Sequence, residues 1–311
     1  MHYAYPARKS SAPPPYLPRT SRLPTIRRRH LKSIAICVLA ILGLLWLFSG
    51  SPKRSTGRTI TGQPPVVVVT AFDDQWEGTT YNKYIRDNRI QYAEKHGYGT
   101  FLAKASDYDL KGAPSSWAKV VATRHAITKY PNAKYFWYLD QHAFIMNPRL
   151  KVEDYVMGAK NLEKAMLKDL PVVPPDSIIK TFTHLKGDDV DFVLTQHNGG
   201  LASGSFVIRN GEWAKFFLDT WFDPLYRSYN FQKAEAHALE HIVQWHPTIL
   251  SKLAIVPQRT ISAYATSEYG QQYKDGDIAV LFFGCTKTGD KSCATESERY
   301  SQQWRTSFST R

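Results

Sequence analysis

Residues 66–70 read Val-Val-Val-Val-Thr, a run of β-branched residues without a charged side chain. Such a run is typical of a strand that is buried on both faces, as the strands of parallel sheets are. A helix is predicted to follow over residues 81–96, because Gly97 is a common residue at a helix end. The stretch therefore predicts one strand and one covering helix of a layered fold.

A second unit of the same kind follows. A helix is predicted over residues 116–129, ended by Pro131, and the apolar strand Tyr135–Leu139 comes next. Later strands are predicted at residues 192–196, 205–208 and 278–283, and later helices at residues 212–221 and 235–244. This alternation predicts an α/β fold, a mainly parallel sheet flanked by helices, in one domain over residues 64–311.

The chain before this domain divides into three segments by composition. Residues 1–32 are rich in Pro, Ser and Arg and are predicted to be a disordered, basic, cytosolic tail. Residues 33–50 are uncharged and apolar and are predicted to be a single transmembrane helix, with residues 51–63 as a stem. A cleaved signal peptide is disfavoured because about 30 residues precede the apolar run, and a core helix because the run has no polar stripe. The positive charges before this segment predict a lumenal domain.

The formal net charge of +13 raises the question of a nucleic-acid partner. Eleven of the 40 Lys and Arg residues, and none of the 27 Asp and Glu residues, lie within residues 1–62. The predicted domain is therefore close to neutral. A nearly neutral folded body offers no basic surface to a phosphate backbone, so no nucleic-acid partner is expected.

Three cysteines are too few for a disulfide-rich scaffold, and no CxxC or Cys/His cluster indicates structural zinc. Cys37 falls within the apolar run. Cys285 and Cys293 lie eight residues apart, and they are either bonded, as an oxidising lumen would favour, or both reduced.

Polar residues follow the predicted strand Tyr135–Leu139 directly, beginning with Asp140 and including His142. An acidic residue at the carboxyl end of a buried strand lies where open α/β sheets bind their ligands. With a second ligand two positions on, it can hold a divalent cation against a diphosphate, since such cations often keep substrate phosphates as partners. The cation would stabilise the negative charge of a departing nucleotide diphosphate. The alternative is that Asp140 only caps a loop.

Several sequence blocks then occur in a specific order. They are residues 117–120, 135–148, 200–213 and 235–241, with further support from residues 88–98, 256–259 and 284–285. Together they resemble the fungal α-1,6-mannosyltransferase subunits of mannan polymerase, related to the plant xyloglucan xylosyltransferases, in glycosyltransferase family 34. The resemblance implies a type II Golgi membrane anchor, a Rossmann-like GT-A fold, a manganese-dependent nucleotide-sugar donor and transfer with retention of the α configuration.

The resemblance also assigns roles to individual residues near the donor. Asp140 matches the first acid of the family's Asp-x-Asp metal motif, and His142 stands where the second Asp is usual. A neutral imidazole can also ligate manganese. Lys119 resembles a family lysine beside the donor, and the alternative is a solvated helix lysine. Gly200 and Gly204 are expected to let the backbone approach the donor closely, since glycine has no Cβ.

Glu235 falls where the family has an acid near the acceptor and the reacting carbon. A carboxylate there could stabilise an oxocarbenium-like centre or orient the acceptor hydroxyl, so Glu235 and Asp140 are the predicted catalytic residues. The alternative for Glu235 is an acid favoured by a helix dipole. His237 and His241 are one helical turn apart, but no His-Glu-x-x-His pattern supports zinc.

Two positions depart from the family pattern. Leu281 stands where a histidine shortly before the Gly-Cys pair is a further metal ligand, and Ala202 replaces an Asn that commonly follows Gly-Leu. The loss of one acid and one imidazole around a single cation weakens its binding, because each supplies charge or a lone pair.

The resemblance implies a Golgi α-1,6-mannosyltransferase. It would move mannose from GDP-mannose to the outer-chain mannan of N-glycans, within a complex of homologous mannosyltransferase subunits at the Golgi membrane. The alternative hypothesis is a non-catalytic subunit of GT-A fold that assembles or stabilises an active mannosyltransferase. His142 and Leu281 motivate this alternative, since both weaken the expected metal site.

Overall fold

The computed structural model describes Leu39 and residues 63–174, 177–229 and 231–309. The predicted tail (1–32), transmembrane segment (33–50) and stem (51–63) thus lie outside the described residues, apart from Leu39 and Gln63. In the described part of the chain, no helix is both long and apolar enough to cross a bilayer. One unit, Thr59–Arg311, contains all the strands and helices named below.

The strands are β1 (Val66–Phe72), β2 (Gly99–Lys104), β3 (Tyr135–Leu139), β4 (Ala143–Ile145), β5 (Phe192–His197), β6 (Gly200–Arg209), β7 (Leu253–Val256), β8 (Ala263–Tyr264) and β9 (Ala279–Leu281). The α-helices are α1 (Thr80–His96), α2 (Ala118–Lys129), α3 (Val152–Tyr155), α4 (Ala159–Ala165), α5 (Glu212–Trp221), α6 (Pro224–Ser228), α7 (Ala234–Trp245), α8 (Pro247–Leu250) and α9 (Cys293–Ser309). Single 3-10 turns lie at Asp74–Trp76, Ala105–Asp107, Ser115–Trp117, Gly187–Asp189 and Gln258–Thr260.

Six strands form the main sheet, in the order β2-β1-β3-β6-β5-β7. β1 is parallel to β2 and β3, and β5 is parallel to β7, whereas β6 runs antiparallel to both β3 and β5. A small second sheet has the order β4-β9-β8. The α/β class is confirmed, but the antiparallel β6 makes the sheet mixed, because β6 follows β5 through a turn too short for a parallel crossover.

β1 is buried on both faces, as its sequence predicts. Val66 and Val68 pack into a cluster that includes residues of α1, and Val67 and Val69 pack into a cluster with residues of α2, α5 and α7. All four valines are 0% exposed. Burial of one such side chain stabilises the fold by about 1.5–3 kcal/mol. Because helices pack on both faces of β1, this strand lies in the central layer of a three-layer arrangement.

α1 begins and ends as its sequence predicts. The Thr79 hydroxyl accepts a hydrogen bond from the Asn82 backbone N–H over 3.1 Å, which caps the first turn. Gly97 ends the helix at φ 66°, a left-handed conformation that favours glycine. The helix thereby presents Asn88 and Arg89, both fully buried, to the sheet.

Several elements are absent from the prediction. β2 lies at the edge of the sheet with only alternate residues buried, and β4 and β8 are three and two residues long, so none gives a strong apolar pattern. The strand predicted at residues 278–283 is present as the shorter β9. α9 is 17 residues long but polar on most of its surface. It packs against α1 and β4, where Trp304 stacks on Phe144 with ring centroids 5.4 Å apart.

Cys285 and Cys293 form a disulfide, with their Cα atoms 4.9 Å apart. Of the two states that the spacing leaves open, the structure has the bonded one. The bond joins the segment after β9 to the first residue of α9, which fixes this segment beside the second sheet.

Candidate active site

Two adjoining cavities lie at the carboxyl ends of β1 and β3. The larger, about 660 Å³, is lined by residues of the β3–β4 loop, β6, the start of α7 and the segment after β9. The smaller, about 270 Å³, is lined by residues that follow β1 and β3 and by the turn before α2. Ser116, Lys119, Asp140 and His142 line both cavities. This is the sheet edge where an α/β fold is expected to bind its ligand.

Asp140 directly follows β3 and is held by its backbone. Its N–H donates to the Gly204 carbonyl over 2.8 Å, and its carbonyl accepts from an Arg89 Nη2 over 2.9 Å. The carboxylate Oδ1 accepts the His142 backbone N–H over 2.9 Å. Asp140 thus caps the loop, as the alternative interpretation states, and it also lines both cavities.

Arg89 binds the backbone of the β3–β4 loop. Its guanidinium donates to the Thr70 hydroxyl (3.2 Å), the Asn88 side-chain oxygen (2.7 Å) and the carbonyls of Asp140 (2.9 Å) and Ala143 (3.0 Å). Burial lowers the pKa of Arg89 to about 9, which leaves it protonated at neutral pH. The fork geometry of arginine lets one side chain bridge two carbonyls of the loop.

Lys119 and Glu235 form a buried ion pair in the cavity wall. The Lys119 Nζ lies 2.5 Å from Glu235 Oε1 and 3.2 Å from the Ser203 hydroxyl oxygen. The Ser116 hydroxyl donates to Glu235 Oε2 over 2.5 Å, and the Ser203 hydroxyl donates to Oε1 over 3.2 Å. Only 6% of Lys119 and 4% of Glu235 are exposed, so Lys119 is not a solvated helix lysine.

The electrostatics of this pair follow from its neighbours. Burial alone would lower the pKa of Lys119, but the carboxylates of Glu235 and Asp140 outweigh burial and raise it. The ammonium group therefore stays charged between two acids. An ammonium has three N–H donors, and the described residues accept two of them, so the third can reach a ligand in the cavity.

His142 packs against two aromatic rings beside Asp140. Its ring centroid lies 5.1 Å from that of Trp76 and 5.9 Å from that of Tyr81, and Nδ1 is 3.2 Å from the Tyr81 hydroxyl oxygen. Burial lowers the pKa of His142, although the charges of Asp140 and Asp73 oppose the shift. The neutral imidazole is thus favoured, which is the form that ligates a metal.

The donor groups fit a divalent cation that takes its other ligands from a substrate. Asp140 offers a carboxylate and His142 a neutral imidazole, whereas Leu281, paired with Ala143 across β4 and β9, adds only hydrocarbon. Among the described residues, the one group of three potential ligands that lie close together is His142 with Cys285 and Cys293, and a disulfide supplies no thiolate. One or two protein ligands plus phosphate oxygens are an arrangement that hard cations accept.

The two glycines predicted to face the donor have different surroundings. At Gly204 a Cβ would lie 3.1 Å from Leu281 Cδ2 and 3.9 Å from the Asp140 Cβ, and Gly204 lines the larger cavity. At Gly200, with φ +137°, a Cβ would lie 1.8 Å from Glu240 Oε1, and Gly200 does not line either cavity. The close approach at Gly200 is therefore to Glu240, which also accepts the Leu201 N–H over 3.1 Å.

Sequence reasoning missed several polar residues of the site. Ser116 and Ser203 satisfy Glu235, while Asp73 accepts the Ser115 hydroxyl over 2.7 Å and donates its own N–H to Gln141 Oε1 over 2.9 Å. Serine in a turn carries no distinctive signal by itself. Asp73 offered one, because it follows the buried β1 as Asp140 follows β3.

Comparisons with known proteins show the family of this chain. The sequence profile of the galactosyl transferase GMA12/MNN10 family matches residues 62–292. An uncharacterized alpha-1,2-galactosyltransferase of Schizosaccharomyces pombe is 34% identical over 228 residues, which are 70% of this chain and 60% of that protein. The probable alpha-1,6-mannosyltransferase MNN10 of Saccharomyces cerevisiae is 31% identical over 287 residues, which are 82% of this chain and 72% of that protein.

The fold also resembles a solved structure. A glycosyltransferase involved in the glycosylation of the major capsid of PBCV-1 superimposes with a TM-score of 0.51 at 10% identity, covering 77% of this chain and all of the other. This similarity concerns the fold, which is GT-A-like. The predicted resemblance to glycosyltransferase family 34 is thereby confirmed, and the chain belongs to the GMA12/MNN10 family of hexosyltransferases.

Proposed function

We propose that this protein is a retaining α-1,6-mannosyltransferase that moves mannose from GDP-mannose to the outer-chain mannan of N-glycans. The observation that carries the proposal is the buried pair of Lys119 and Glu235, which shares one cavity with Asp140 and His142. A buried charged network at the carboxyl edge of the sheet has a desolvation cost that the fold alone does not require. The choice of mannose follows the sequence resemblance and the similarity to MNN10.

Four residues of the site have separate proposed roles in the transfer. Asp140 and His142 would hold a Mn²⁺ ion, which when bound supplies positive charge to the departing diphosphate. Lys119 offers its third N–H to the same diphosphate. Glu235 keeps Lys119 charged and in place and presents negative charge to the cavity, where it would favour an oxocarbenium-like centre. The protein thus binds and orients the donor through groups fixed before binding.

Replacement of Asp140 by alanine tests the metal assignment. We expect transfer from GDP-mannose by the purified full-length chain to fall about 100-fold or more, because the carboxylate that would hold the cation is gone. The measurement is radiolabelled mannose transfer to an α-mannoside oligosaccharide in the presence of Mn²⁺, with the exposed Asp290→Ala as matched control.

Full activity in Asp140→Ala would remove the metal assignment. UDP-galactose is run beside GDP-mannose in the same assay, since the relatives include named galactosyltransferases. Transfer from UDP-galactose alone would overturn the choice of mannose while leaving hexosyl transfer intact.

The proposed location is the Golgi membrane, with a single type II anchor and a lumenal domain. The apolar run within residues 33–50 and the disulfide between Cys285 and Cys293 support it, since disulfides persist in oxidising compartments. We expect a tagged full-length chain to coincide with a Golgi marker in fluorescence and to be protected from protease in sealed membranes. Cytosolic fluorescence would contradict the proposal.

A second candidate function is a non-catalytic subunit that stabilises an active mannosyltransferase. Leu281 favours it, because this residue puts hydrocarbon beside His142 where a third ligand would complete the cation site. Calorimetry of the full-length chain with Mn²⁺ and GDP distinguishes the two. Absence of both binding signals, together with co-purification of an active homologue, would establish the subunit function.

A further inference from the structure

The segment after β9 adds an aromatic wall to the larger cavity. Phe283 lines this cavity and is 48% exposed. Its ring centroid lies 4.8 Å from that of Tyr269, 5.4 Å from that of Tyr264 and 5.6 Å from that of His197. A large apolar ring that is supported by three others, yet remains open to a cavity, offers a ligand a flat surface.

The backbone that carries Phe283 is fixed on both sides. Before it, the Phe282 N–H donates to the His142 carbonyl over 2.8 Å. After it, Gly284 has φ +79°, and Cys285 is bonded to Cys293 at the start of α9. Little conformational freedom is therefore left to lose when a ligand binds, which favours affinity.

His197 places a polar group beside this ring. Its Nδ1 accepts the Gly199 N–H over 2.9 Å, so the neutral imidazole carries its proton on Nε2. Burial, with the charge of Lys233, lowers the pKa of His197 and favours this neutral form. Within residues 63–174, 177–229 and 231–309, no group accepts the Nε2 proton, so it can be donated to a hydroxyl in the cavity.

We propose that Phe283, with Tyr264 and His197, is the subsite that binds a hexopyranose ring of the acceptor. One face of a pyranose carries C–H groups that pack on an aromatic ring, and its edge carries hydroxyls that accept from an imidazole N–H. A nucleoside diphosphate is matched instead by the ammonium group of Lys119 and by the cation that Asp140 would hold, and both residues line both cavities. This inference rests on the proposed function, since it names the second substrate of the same site.

The test compares Phe283→Ala with the wild-type full-length chain. We expect the KM for an α-mannoside acceptor to rise about 10-fold or more, while the KM for the donor and the rate of donor hydrolysis without acceptor stay within about twofold. Phe283→Tyr keeps the ring and should retain the wild-type KM. Phe216→Ala is the matched control, because Phe216 is 57% exposed on α5 and lines neither cavity.

A direct binding measurement separates this inference from the proposed function. Saturation-transfer NMR with α-1,6-mannobiose should show contact with the wild type and lose it in Phe283→Ala. An unchanged acceptor KM in Phe283→Ala would overturn the subsite and leave the transferase intact, and a raised donor KM would assign the ring to the nucleoside. If the wild type transfers no sugar but binds mannobiose through Phe283, the proposed function fails and the subsite stands.

Discussion

Replacement of Lys119 by methionine should lower the free energy of unfolding by about 3–5 kcal/mol and reduce transfer at least 100-fold. The stability loss follows because Glu235, only 4% exposed, would keep a buried negative charge whose partner is gone. The activity loss follows because the third N–H of Lys119 is the group proposed to donate to the diphosphate. Urea unfolding followed by circular dichroism gives the first quantity, and the sugar-transfer assay gives the second.

The double variant Lys119→Met/Glu235→Gln is the control that separates these two effects. Glutamine keeps the shape of the acid: its side-chain oxygen accepts from one of the two serine hydroxyls, Ser116 or Ser203, and its NH2 donates to the hydroxyl oxygen of the other. We therefore expect most of the lost stability to return, to within about 1 kcal/mol of wild type, while activity stays lost. A double variant that recovers activity would show that Lys119 serves only to neutralise Glu235.

Replacement of Arg89 by methionine should cost about 3–4 kcal/mol of stability, because the guanidinium's buried partners would lose their donor. Two of those partners are the carbonyls of Asp140 and Ala143, so the loop would also loosen and transfer should fall at least 10-fold. Thermal unfolding and the sugar-transfer assay, run on the same preparation, check both expectations.

Arg89→Lys is the informative companion variant. A lysine keeps the charge but cannot bridge the two carbonyls as a planar fork does, so we expect it to recover less than half of the stability. The exposed Arg149→Met should match the wild type in both measurements. An Arg89→Met variant with wild-type stability would mean that water replaces the guanidinium at the loop.

The sequence predicts a strand or helix well where its residue pattern depends only on residues within that element. β1 is an uncharged β-branched run, and α1 ends at a glycine, and both lie where predicted. Asp140 is found at a strand end because this position depends only on the strand before it. The antiparallel β6 and the short second sheet depend on contacts between distant strands, which a local pattern does not contain.

The candidate site shows the same division. Lys119 and Glu235 were each predicted singly, but their pairing joins residues 116 positions apart and required the fold. Glu235 also lies in the first turn of α7, where the helix dipole favours an acid. The helix-dipole interpretation and the catalytic interpretation of Glu235 are therefore compatible. The motif predicts that the backbone at Gly200 approaches the donor, but its close neighbour is Glu240. A glycine indicates close packing without identifying the neighbouring group.

The C-terminal helix α9 begins at Cys293, immediately after the family match ends at residue 292. Its Trp304 nevertheless covers Phe144 of β4, and β4 starts one residue after His142. Helix α9, which lies outside the family match, therefore stabilises the loop that carries Asp140. Substitutions on its inner surface would alter the reaction centre through packing alone, without touching a group that meets either sugar.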